Sequence, residues 1–132
     1  MEENLLKVFY QYLEEGKEEL AVMEILEKRP VDTSDLEKVL SRLMKKRYLL
    51  KQGQHYRLTS NGRIEAMRIV RSHRLWELYL TQRMKFKEDH IHGSAETIEH
   101  LITPDIELEL LKELDFPKED PHKKAIPYDS RN

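Results

Sequence analysis

The stretch Tyr48-Leu49-Leu50-Lys51-Gln52-Gly53-Gln54-His55-Tyr56-Arg57-Leu58-Thr59 decides the fold of this chain. Its two arms carry strand-forming residues and meet at Gln52-Gly53-Gln54, where glycine tolerates the backbone of a tight turn. Two short strands, 48–51 and 55–59, are therefore predicted. Everything upstream has the spacing of helices instead. Leu5, Leu6, Val8, Phe9, Tyr12 and Leu13 line one face of a first helix, closed at Glu14-Glu15-Gly16. Leu20, Val22, Met23, Ile25 and Leu26 repeat the pattern, and Pro30 blocks its continuation. A third helix is expected from Thr33 or Ser34, with Ser34 and Glu37 as a capping box. Its apolar face is Leu36, Val39, Leu40 and Leu43, and Lys45, Lys46 and Arg47 suit the negative end of its dipole.

Three short helices followed by a hairpin is the layout of a winged helix-turn-helix. Downstream, Ser60-Asn61-Gly62 punctuates the end of the wing, and a long helix is expected over 63–85. Its centre, Leu75, Trp76, Leu78, Tyr79 and Leu80, is apolar nearly all round. Such a helix needs cover on every side, more than a short chain supplies, which points to a homodimer with Leu75, Trp76 and Tyr79 at the interface. Further helices are expected over 92–102 and 105–114, separated by Thr103-Pro104. The tail after them, with Pro117, Pro121 and Pro127, is expected to be extended and packed at most by Phe116, Ile126 and Tyr128. The chain thus reads as mainly α: a winged helix-turn-helix domain over 1–62, an all-helical metal-binding and dimerisation domain over 63–116, and a tail over 117–132.

Composition narrows the function. With 132 residues, 36% of them charged, and a net charge of −2, the chain has no global basic field for nucleic acid, so any DNA surface must be local. Cysteine is absent, which removes disulfides, thiolate zinc sites and thiol catalysis, and fits a cytoplasmic setting. Only four glycines are present, none arranged as a phosphate-cradling loop. No apolar run reaches the ~18 residues that span a bilayer.

The residues that carry chemistry are histidines and glutamates. His92, Glu96, Glu99 and His100 fall at i, i+4, i+7 and i+8, which stacks them along one helix face. Upstream, His73 and Glu77 form a second i, i+4 pair. Imidazole nitrogen and carboxylate oxygen suit divalent manganese, iron or zinc. Two helices that turn these stripes toward each other would enclose one ion. No His-Glu-x-x-His motif and no activated serine accompany them, so the reading is a sensor rather than an enzyme.

With those elements placed, the sequence resembles the DtxR/MntR family of metal-dependent repressors, from Glu3 to about Pro127. The stretches that carry the resemblance are Leu58-Thr59-Ser60-Asn61-Gly62, Arg71-Ser72-His73-Arg74-Leu75-Trp76-Glu77 and His92-Gly93-Ser94-Ala95-Glu96-Thr97-Ile98-Glu99-His100. Asp120-Pro121-His122 with Ala125-Ile126-Pro127 adds to them. The resemblance implies an N-terminal winged helix that binds double-stranded DNA, a helical dimerisation domain, and metal sites between them. It implies that His73, Glu77 and His92 serve one site and Glu96, Glu99 and His100 the other, with His73 shared in the manganese-type arrangement. Glutamate at position 96 implies manganese first, with iron or zinc next.

The departures are equally specific. Positions where the family's first helix lends ligands look like Asn4 and Lys7, and lysine repels a cation. On the expected reading helix, Ser34, Lys38, Ser41, Arg42 and Lys45, with Arg57 in the wing, are the candidate DNA contacts, while Asp35 and Glu37 oppose phosphate. His55, His90 and His122 carry no assigned role. The pattern also resembles a variant in which the domain is the cytosolic tail of a metal-uptake ABC permease, in Glu2-Glu3-Asn4-Leu5-Leu6-Lys7 and in the run from Arg74 to Leu80.

Overall fold

A computed structural model describes residues 1–83 and 103–128. They form five helices and three strands: α1 (Glu2–Glu14), β1 (Glu19–Ala21), α2 (Val22–Lys28), α3 (Thr33–Lys45), β2 (Leu49–Gln52), β3 (His55–Leu58), α4 (Ser60–Arg83) and α5 (Pro104–Glu113). The chain divides into two compact units, Met1–Met67 and Arg68–Asn132.

In the first unit the apolar stripes expected from sequence make the core. Leu5, Leu6, Val8 and Phe9 of α1, Ile25 of α2 and Leu36, Val39, Leu40 and Leu43 of α3 are all buried, with Leu49 and Tyr56 from the sheet. The sheet is antiparallel in the order β1-β3-β2, with Leu50 opposite Arg57 and Gly53 at positive φ in the turn. β1 corrects the sequence reading, which runs residues 20–26 together as helix. Glu19, Leu20 and Ala21 pair with Arg57, Tyr56 and His55, so the helix starts only at Val22. Its first turn is held by Glu24, whose Oε1 accepts the Ala21 N–H at 2.9 Å. The start of α3 is also revised. Asp32 is the N-cap and accepts the Asp35 N–H, in place of the Ser34–Glu37 box.

The Thr59-Ser60-Asn61-Gly62 segment locks the sheet to α4, which begins at Ser60 rather than Arg63. Thr59 Oγ1 donates to the Arg47 carbonyl at 2.6 Å and accepts the Gly62 N–H at 2.9 Å. Gly62 is required by space: a Cβ there would lie 1.9 Å from the Tyr48 carbonyl oxygen.

In the second unit Leu75, Leu78, Leu114 and Ile126 form a buried cluster, flanked by Tyr79 and Leu111. Thr103 caps α5, accepting the Ile106 N–H. Arg71 Nε and Ser72 Oγ both donate to Glu107 Oε1, at 2.9 and 3.1 Å, which ties α4 to α5. The segment after α5 is not extended as expected. It turns through positive φ at Asp115, Phe116 and Lys123 and closes a bridge between Glu119 and Ala125. Ile126 is its anchor, whereas Phe116 is 54% exposed. The reason is Asp120, whose Oδ1 accepts the amides of His122 and Lys124, both at 2.8 Å. A side chain that gathers two amides supplies the backbone partners that an extended tail would take from water. Among the described residues no helix is long and apolar enough to cross a membrane.

Candidate metal centre

α4 places His73 and Glu77 one turn apart on the same face, as the i, i+4 spacing requires. Both are buried, at 6% and 2% exposure, and His73 Nε2 lies 2.5 Å from Glu77 Oε1. A carboxylate withdrawn from water this far is costly unless a cation or donor faces it. Burial sets this pair apart from a weak surface contact between helix-face charges.

The other carboxylate oxygen has its own neighbour. His122 Nε2 stands 3.8 Å from Glu77 Oε2. The loop set by Asp120 carries His122 there, and Asp120 Oδ2 lies 3.9 Å from Arg74 Nε while Arg74 also donates to the Ala125 carbonyl. Sequence reasoning gives His122 no role because its proline-flanked segment looks unstructured. The signal is the Asp-Pro-His triplet itself, since an aspartate two residues before a backbone amide builds a turn. Glu77 is thus bracketed by two imidazoles. Two imidazole nitrogens and one carboxylate are donors that suit a divalent first-row ion. Among the described residues no three such groups converge closely enough to hold an ion by themselves. His92, Glu96, Glu99 and His100 lie outside the described residues.

The remaining candidates are placed as follows. Ser34, Lys38, Ser41, Arg42 and Lys45 are exposed on α3, as are Asp35 and Glu37. Arg57 is half-buried in β3, lining a small cleft with Phe9, Leu13, Glu18, Leu58 and Arg63. Lys7 is buried at 8% exposure. Leu75 is fully buried in the core of its own unit, whereas Trp76 and Tyr79 are only partly covered and meet edge to face at 5.4 Å.

Similarity to known proteins follows the same lines. The chain is 33% identical over 98% of its length to a "probable metal transport system membrane protein" of Chlamydia trachomatis, and covers 30% of that protein. It is 30% identical over 95% of its length to the iron-dependent repressor IdeR of Mycobacterium leprae, covering 54% of it. Among solved structures, the manganese regulator SloR superposes with a TM-score of 0.85 at 32% identity, over 96% of this chain and 59% of that one. A manganese-dependent transcriptional repressor in complex with manganese superposes at 0.88 with 27% identity, over 97% and 59%. The chain therefore spans between 30% and 59% of the length of these relatives. The metal binding and dimerisation domain of the iron-dependent repressors matches residues 59–128, and the chain belongs to that DtxR/MntR family of metal-dependent regulators.

Proposed function

We propose that this chain is a metal-responsive regulatory module that binds a divalent cation, manganese first and iron or zinc next, and acts on double-stranded DNA as a homodimeric repressor. The observation that carries the reading is the buried His73–Glu77 pair with His122 on the second carboxylate oxygen. In this reading His73, Glu77 and His92 hold one ion, Glu96, Glu99 and His100 another, and His122 joins the donors around Glu77. The ion supplies positive charge that neutralises the buried Glu77 carboxylate. The relatives support the metal class: solved neighbours include a regulator with bound manganese and one with bound zinc.

The α1-α2-α3 arrangement with the β2–β3 hairpin supports a winged helix over 1–62, with α3 as reading helix and Ser34, Lys38, Ser41, Arg42, Lys45 and Arg57 as DNA contacts. Trp76 and Tyr79 are the aromatic pair offered to the second copy, with Leu75 behind them in the core. Mn²⁺-dependent, salt-sensitive binding of duplex DNA, read by fluorescence anisotropy, tests the reading.

A second reading has its own support. Identity to a metal transport system membrane protein over nearly this whole chain favours a cytosolic regulatory domain of a metal transporter. Tight Mn²⁺ binding with no DNA binding at low salt would select it.

A further inference from the structure

Glu2 sits in the first turn of α1, and its carboxylate meets the basic end of α3. Lys46 Nζ lies 2.8 Å from Glu2 Oε1, and Arg42 Nε lies 3.8 Å from Glu2 Oε2. The two cations are one turn apart, and both are about half exposed. Guanidinium and ammonium converging on one carboxylate also suit one phosphate, which offers the same anionic oxygens. Glu2 is also the first cause that holds the Lys46 ammonium above the ordinary lysine range.

From this geometry we infer that Arg42 and Lys46 form a site for a backbone phosphate of DNA, and that Glu2 fills it in the free protein. The inference deepens the DNA-binding reading above and rests on it. DNA must displace Glu2 to use these cations, so the benefit of the phosphate interaction is offset by the loss of the internal ion pair. The reading helix is thereby held at low affinity by a residue from outside it. Arg42 near its C-terminal end and Lys46 just past it are neutralised by Glu2 in the free protein, while Asp35 and Glu37 oppose phosphate at its other end. Lys46 becomes a DNA-binding residue that spacing alone did not identify.

A double-mutant cycle separates this exchange from a simple change in net charge. Affinity for a fluorescent 20-base-pair duplex is measured with Mn²⁺ across a salt series for the wild type, Glu2→Gln, Lys46→Gln and the double variant, with thermal melts to verify folding. Glu2→Gln is expected to raise affinity about three- to tenfold, the scale of neutralising one more backbone phosphate. Lys46→Gln is expected to weaken wild-type binding by less than about threefold, because the phosphate contact it loses is partly offset by the Glu2 ion pair that DNA no longer has to break. In the Glu2→Gln background it should abolish that increase and lower the salt slope by about one. Additive effects of the two substitutions, or a Glu2→Gln protein that binds no tighter than a wild type that does bind, would overturn the inference and leave the DNA reading standing. If neither protein binds duplex even at low salt, the DNA reading fails and the inference with it.

Discussion

His122 Nε2 stands 3.8 Å from Glu77 Oε2, although 45 positions separate the two residues in the chain. That proximity turns a helix-face pair into a three-residue cluster, because Glu77 has an imidazole near each oxygen. It also ties the metal reading to the fold of the last segment, since Asp120 and its two accepted amides decide where His122 points.

Ile126→Ala is expected to damage the site from a distance. It empties a position packed against Leu75, Leu78 and Leu114 and should cost about 2–4 kcal/mol of stability in the second unit. It also loosens the loop that carries His122. Thermal melts with and without Mn²⁺ measure both effects, and a variant as stable as wild type would contradict the packing.

Gly62→Ala is expected to destabilise the first unit by about 3 kcal/mol, because the new Cβ meets the Tyr48 carbonyl, which is backbone and cannot rotate away. Denaturant unfolding followed by circular dichroism measures it. No loss, or the gain in stability that alanine ordinarily brings at a surface helix position, would mean that the Tyr48 approach is not as close as described.

Acid sensitivity is expected from Glu24. Its carboxyl is held below the usual value of 4.5, first by the Ala21 amide and then by Lys17. A lowered folded value means the contribution is present above 4.5 and fades as pH falls through the lowered value. Glu24→Gln should therefore lose stability at neutral pH and show a shallower further loss between about pH 5 and pH 3 than wild type. Parallel acid slopes for the two proteins would argue against this cap.

Trp76→Ala is expected to weaken self-association, since a half-covered aromatic pair with Tyr79 has the character of an interface anchor. Analytical ultracentrifugation reads the shift toward monomer. An unchanged association constant would move the interface elsewhere on the unit.

Much of this architecture is legible in the sequence, for reasons that differ by element. The hairpin announces itself because Gly53 and its flanking strand-formers act over a few residues. The helices do so through the 3.6-residue spacing of Leu36, Val39, Leu40 and Leu43. β1 is not legible, because three residues carry almost no periodicity and its pairing with β3 depends on Tyr56 and Arg57, far along the chain. The final loop is hidden because prolines and charges mask the turn that Asp120 builds. That His73 and Glu77 share a helix face is readable from spacing alone, but their burial is not, and the approach of His122 requires the fold. The stripe at His92, Glu96, Glu99 and His100 rests on spacing and family resemblance, outside the described residues.

Calorimetric titration with Mn²⁺ tests the central claim most directly, using the wild type, His73→Ala and His122→Ala. Saturable binding by the wild type is expected, with His73→Ala losing at least about a hundredfold in affinity and His122→Ala about tenfold or more, the range that ligands and their close neighbours command. A wild type that takes up no Mn²⁺, Fe²⁺ or Zn²⁺, or one whose affinity ignores both substitutions, would contradict a metal centre at Glu77.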